Sequence, residues 1–146
     1  MPYRFVDDLT VADVAFEARG TTLEALFTAA WQATLRVMIE NPGALAGKES
    51  RAVTLEQPSL DLLLYNFLQE LIYYKDAEGL LLRIEECRIQ RDMAGGKSVG
   101  LEARTRGQTV DPKIHRLGTD VKAVTFYNFS LTRDTGGWKA TVVLDV

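Results

Sequence analysis

The chain has 146 residues, enough for one domain built on a single core and too few for two. Apolar residues make up 47% of it and charged residues 25%, with a net charge of −3, the balance of an ordinary globular protein. This charge excludes holding nucleic acid by bulk positive potential, so a role near RNA is expected to run through another protein.

In chain order, Val11 to Arg19 reads as a strand, because Ala12, Val14, Phe16 and Ala18 alternate with Asp13, Ala15, Glu17 and Arg19. Gly20 ends it. Thr21 with Glu24 three residues later has the spacing of a capping box and predicts a helix start. Leu23, Leu26, Phe27, Ala30, Trp31, Thr34, Leu35 and Met38 then give one broad apolar face, and Asn41–Pro42–Gly43 stops the helix. Ala52 to Leu55 reads as a second strand. Ser59 caps a second helix with Leu60, Leu63, Leu64, Phe67, Leu68, Leu71 and Tyr74 as its buried stripe, and Gly79 is its exit.

Strands alone follow. Leu80 to Gln90 is interrupted at Glu85–Glu86, which reads as a bulge or a join. A Gly95–Gly96 turn leads to the alternation Val99, Leu101, Ala103, Thr105, and residues 107–118 read as loop. Val121 to Arg133 and Trp138 to Asp145 form a final pair around the turn at 134–137. The order β-α-β-α followed by four or five strands predicts an α+β fold. Two helices should pack on one face of a mostly antiparallel sheet of mixed order, in a single domain spanning 1–146.

Signatures of catalysis are missing from the sequence: there is no phosphate loop, no nucleophile elbow and no HExxH. The lone cysteine, Cys87, has no partner for an internal disulfide and reads as a small buried hydrophobe, as in a reducing cytosol. The N-terminal MPYRFVDD has no signal-peptide character and no run is long enough to span a membrane, so a cytoplasmic protein is expected. The one histidine, His115, lies in a polar loop and reads as solvated, or as a contact to a partner. One Cys and one His exclude a four-ligand structural zinc site.

Carboxylates remain. Asp13 and Asp145 each lie on the side of a strand opposite its apolar residues, and Val146 follows Asp145. If the first and last strands are neighbours, two side-chain carboxylates and a terminal one converge. Such an all-oxygen set suits a hard cation such as Ca²⁺, Mg²⁺ or Mn²⁺. Spacing alone favours solvated aspartates.

Four segments resemble the archease family: Thr10–Val14 running on to Glu24, Ser59–Leu71 with Glu78–Gly79, Val121–Thr125, and Leu144–Val146. They occur in the family's order and span essentially the whole chain. Where the family usually has histidine, this chain has Thr10 and, after the Val-Lys-Ala-Val-Thr motif, Phe126–Tyr127. The resemblance implies a metal site at Asp13, Asp145 and Val146, Ca²⁺ being the ion most expected in a structure and Mg²⁺ or Mn²⁺ the alternatives. It also implies a non-enzymatic accessory role, activating an RtcB-type RNA ligase by promoting its guanylylation and multiple turnover in tRNA splicing or RNA repair. RNA is then met only indirectly. Lys122 and His115 are the expected partner contacts. The alternative is a chaperone or specificity factor for another RNA-modifying enzyme, such as a tRNA methyltransferase.

Overall fold

A computed structural model describes residues 2–6 and 13–146. Seven strands and two helices follow in the order β1 (Tyr3–Phe5), β2 (Val14–Gly20), α1 (Leu23–Met38), β3 (Glu49–Gln57), α2 (Leu60–Glu78), β4 (Leu80–Met93), β5 (Ser98–Thr109), β6 (Ala123–Asp134) and β7 (Gly137–Asp145). The expected α+β class holds. The single sheet does not: the strands divide into a four-stranded sheet, β1-β2-β7-β6, and a three-stranded one, β3-β5-β4, and every pairing is antiparallel. Each helix touches strands of both sheets, so the helices join the sheets instead of covering one of them.

The local reasons for these elements are readable. The α1 cap is Thr22 and not Thr21: its hydroxyl accepts from the backbone N–H of Ala25 at 3.1 Å. The frame moves by one residue, so Glu24 does not close a capping box and instead accepts from the N–H of Ile89 on β4 at 3.2 Å. Ser59 caps α2 by accepting from the N–H of Leu62 at 3.3 Å, and Gly79 ends that helix in the left-handed conformation at φ 66°. Glu85 is the extra residue of a bulge between Ile84 and Glu86.

Several boundaries differ from the sequence reading. β3 runs from Glu49 to Gln57, well beyond Ala52–Leu55, because its full length pairs with β5. β5 likewise runs to Thr109, shortening the expected loop. β6 begins at Ala123, two residues after Val121. β1 is three residues long, too short for the Tyr3–Arg4–Phe5 alternation to announce a strand, and the sequence reading does not include it. Residues 11 and 12, the start predicted for the first strand, lie outside the described residues, as do Asp8 and Thr10.

The core is continuous across the layers. Trp31 and Phe27 of α1 meet Phe67 of α2 with ring centroids 4.8 and 5.7 Å apart, all fully buried. The Trp31 indole N–H donates to the carbonyl of Leu82 on β4 at 2.8 Å, so the largest core side chain carries no unsatisfied polar atom.

Candidate functional site

The sheet topology supplies the condition that the sequence left open. β2 and β7 are neighbours, paired from Val14↔Leu144 to Gly20↔Trp138. Continuing that register by one residue sets Asp13 opposite Asp145. Directly opposed residues of an antiparallel pair project to the same face, with α-carbons roughly 4.5–5.5 Å apart. Phe16, Val142 and Leu144 belong to the core on the other face, while the aspartates share their face with Ala15 and Val143, which are buried outside the core cluster. Both aspartates are partly exposed.

β6 completes the arrangement from the other flank of β7. Ala123 pairs with Asp145, and the Lys122 N–H donates to the Asp145 carbonyl at 2.8 Å. One more step of register sets Lys122 opposite Val146. The Lys122 side chain is exposed, and Val146 packs against the edge of the core. Asp13, Asp145, Val146 and Lys122 are thus gathered at one end of the first sheet by strands remote in sequence. Among the described residues, no three or more Asp, Glu, His or Cys side chains form a metal-holding group. A cation at this end would therefore draw on the two opposed carboxylates and the backbone end at Val146. That all-oxygen donor set fits a hard divalent ion.

Farther along the same face, Glu17 accepts an ion pair from each of Arg4 (3.4 Å), Arg19 (3.6 Å) and Lys139 (3.4 Å). Partial burial pushes its carboxyl up, and the bonds from Arg4 and Lys139 more than offset that, leaving its pKa below the usual 4.5. A depressed carboxylate contributes stability that is fully present above its unfolded pKa and is lost as pH falls through the folded one. Glu17→Gln is therefore expected to flatten the acid side of a stability–pH profile below pH 4.5 in urea titrations. A profile as steep as wild type would show that the cluster contributes nothing.

His115 is the main correction. The ring is 2% exposed and not solvated. Its Nδ1 accepts from the Asp111 N–H at 2.9 Å, and Nε2 faces Gln108 Oε1 at 3.1 Å, which fixes the Nε2–H tautomer. The same Gln108 oxygen accepts from the Ala46 N–H at 2.9 Å, so the histidine ties the 110–122 connection to the segment after α1. With the ring inside, the surface this loop offers a partner is Ile114 and Leu117, 51% and 49% exposed. His115→Ala leaves the Asp111 N–H without its acceptor and takes from the Gln108 oxygen one of its two donors, the Ala46 N–H remaining. It should cost about 1–3 kcal/mol in denaturant unfolding, the range for orphaning buried polar groups.

Cys87 is inert. Burial, with the nearby Glu24 carboxylate, raises its thiol pKa to about 12. Sequence reasoning missed the exposed aromatics. Phe126 and Tyr127 are 55% and 61% exposed because the β6–β7 register shifts between Thr125 and Ser130, pushing this stretch out of the ladder. Phe126 stacks on Tyr65 of α2 with centroids 4.2 Å apart. The positive φ of Asn128 (51°) is part of this bulge, and nothing in the period-two pattern signals it. Tyr73 is 56% exposed, and Tyr74, expected in the buried stripe of α2, is half-buried.

Fold and site together define a class: an α+β domain of two helix-joined antiparallel sheets, whose first and last long strands bring two carboxylates to one end. The family model described as the archease protein family (MTH1598/TM1083) matches residues 3–146. The chain belongs to the archease family. It is 35% identical over 136 residues to the archease of Pyrococcus abyssi, covering 92% of this chain and 93% of that protein. It is 31% identical over 144 residues to the archease of Methanosarcina barkeri, covering 99% and 95%. The solution structure of protein 1598 of Methanobacterium thermoautotrophicum superimposes with a TM-score of 0.83 at 28% identity, covering 99% of both chains. The Thermotoga maritima crystal structure described as an archease, possible chaperone, shares the fold, with a TM-score of 0.63 at 21% identity and coverage of 97% and 96%.

Proposed function

We propose that this chain is a non-catalytic, metal-binding activator of an RtcB-type RNA ligase, acting in the cytoplasm during tRNA splicing or RNA repair. The observation that carries the reading is the register that opposes Asp13 to Asp145 beside Val146. These are the residues that the family resemblance implies as the ligand set. Asp13, Asp145 and Val146 would hold a divalent ion, whose positive charge would offset the negative charge of a nucleoside triphosphate. The chain's own residues do the rest: the two carboxylates accept only, and Lys122, next to the β6 residue paired with Asp145, presents a cation. The partner gains a rigid, charged edge at which its guanylylation is promoted, and RNA is reached through that partner.

The test is guanylylation and multiple-turnover RNA joining by the cognate ligase with and without this protein, in Mn²⁺, Mg²⁺ or Ca²⁺. Stimulation supports the reading, and its absence overturns it. A second reading, a chaperone or specificity factor for another RNA-modifying enzyme such as a tRNA methyltransferase, is favoured by the description of the Thermotoga relative as a possible chaperone. Suppression of methyltransferase aggregation without any effect on a ligase would select it.

A further inference from the structure

Among the described residues, one long strand edge stands open, that of β3. The Thr105 hydroxyl donates to the carbonyl of Arg51, its partner across the β3–β5 ladder, at 2.9 Å, so that carbonyl points at β5. Backbone groups alternate in direction along an antiparallel strand, so those of Ala52, Thr54 and Glu56 point away from β5. No hydrogen bond among the described residues reaches these three from the open side, and all three are exposed. Other long edges are capped. On β4 the Trp31 indole N–H donates to Leu82 and the Glu24 carboxylate accepts from Ile89; on β6 the Gln69 amide oxygen accepts from Val124 at 2.9 Å. Beside the open edge lies a groove of about 430 Å³, lined by Leu55 of β3 and by Asn66, Gln69, Glu70, Tyr73 and Tyr74 of α2. At its far end the chain's own Arg51 meets Glu78 at 2.6 Å and lies 6.0 Å from the Tyr74 ring centroid. From Arg51 to Leu55 the strand rises about 13 Å, and from Glu78 back to Glu70 the helix rises about 12 Å. The second position repeats the first with leucine in place of arginine. Glu70 is half-buried there and among the described residues forms no ion pair, while the Tyr73 and Tyr74 rings meet edge to face with centroids 5.2 Å apart. Burial pushes the Glu70 carboxyl pKa up.

The unpaired backbone groups call for an extended chain, because another strand matches their spacing on every second residue. The groove calls for a cation. A guanidinium there gains a charge-assisted bond from Glu70 and contact with two tyrosine rings, as Arg51 does with Glu78 and Tyr74. A strand laid along β3 sends alternate side chains to the α2 side, so an arginine placed beside Leu55 reaches Glu70. We propose that β3 takes up an extended, arginine-bearing segment of a protein partner, which adds a fourth strand to the second sheet and seats its arginine between Glu70, Tyr73 and Tyr74. A second copy of this chain is the rival occupant and the poorer match in charge. Pairing two β3 edges would bring Glu49, Glu56, Glu70 and Glu78 towards their own copies, with Lys48 and Arg51 as the cations, and Arg51 is already held by Glu78. Nothing in the groove depends on the partner being a ligase.

The probe is a fluorescent peptide, Thr-Val-Thr-Arg-Thr-Val-Thr, titrated with the full chain and followed by anisotropy. Saturable binding is expected. The peptide with glutamate in place of arginine should bind at least about tenfold more weakly, and so should the original peptide with its amides N-methylated, which cannot pair with a strand edge. In the protein, Glu70→Gln should weaken binding about tenfold, as for loss of a hydrogen bond to a charged group. Thr54→Pro should weaken it at least as much, because the ring removes an N–H on the open edge. That N–H faces away from β5, so the urea midpoint of Thr54→Pro should stay close to that of the wild type, and the N-methylated peptide tests the same contact without touching the fold. Glu85→Gln removes an equal charge from the bulge of β4, where Glu85 meets Arg106 at 3.0 Å, and should stay within about twofold. Absence of wild-type binding, equal binding of the glutamate or N-methylated peptide, or equal losses in Glu70→Gln and Glu85→Gln would each overturn the docking edge. Sedimentation of the free protein as a dimer that Thr54→Pro converts to monomer would overturn the choice of partner in favour of a second copy.

Discussion

Asp145→Asn is expected to reduce stimulation of the ligase at least tenfold, within the roughly 10–100-fold range seen when even supporting groups of metal sites are altered. The substitution keeps the size and strand propensity of the side chain and removes one negative charge from the pair opposed across β2 and β7. Hard-cation affinity follows the number of charged oxygen donors, so the loss should be partly recovered at higher metal concentration. Asp13→Asn should behave alike, and the double variant should be little worse than either single one if both serve one ion. The readouts are guanylylation of the ligase across a Mn²⁺ series and calorimetric titration of metal into this protein alone. Wild-type stimulation by Asp145→Asn would discard the site and leave the activator role standing.

Trp31→Ala should destabilise the fold by about 3–5 kcal/mol, the range for deleting a large buried aromatic, against a total of roughly 5–15 kcal/mol for a domain. The indole is fully buried, packs on Phe67, and satisfies its N–H on Leu82 of β4, so it joins both helices to the second sheet. Removing it leaves a cavity that α1 cannot fill without leaving β2 as well. Trp31→Phe keeps most of the volume and loses the hydrogen bond, so it should cost less than half as much. Urea unfolding checks both, and equal losses would show that the hydrogen bond, not the packing, dominates.

Much of this architecture is legible in the sequence. The helices are long and strongly periodic, and the residues named as their buried stripes are largely the buried ones, from Leu23 to Met38 and from Leu63 to Leu71. The alternation that put Asp13 and Asp145 opposite the apolar residues of their strands is a local property and survives in the fold. What a local reading could not supply was pairing. Nothing in β3, β4 and β5 taken singly says that they form their own sheet, because the alternation along a strand does not name the neighbour it takes. His115 was misplaced for a related reason. Polar flanks such as Asp111, Lys113 and Arg116 suggest a solvated loop, yet the loop is pinned to the end of α1 through Asn41, which accepts from the Arg116 N–H at 2.7 Å and donates to the Ile114 carbonyl at 3.1 Å. The open edge of β3 is likewise invisible before folding, since it depends on which strands pair.

The pairing of β2 with β7 has a consequence for the order in which the molecule assembles. β4 and β5 are joined by a tight turn and can close early, and β6 and β7 make a second local hairpin. The ladder from Val14↔Leu144 to Gly20↔Trp138 must wait, because it closes a loop containing nearly the whole chain, and such contacts come at a high entropic cost. The carboxylate end is then the last part to exist during refolding, and a metal ion cannot guide the earlier steps. Pulsed hydrogen exchange should protect the amides of β4 and β5 before those of β2, with rates for the early phase unchanged by added Ca²⁺. Protection of β2 as early as β5 would mean instead that the two ends of the chain find each other first.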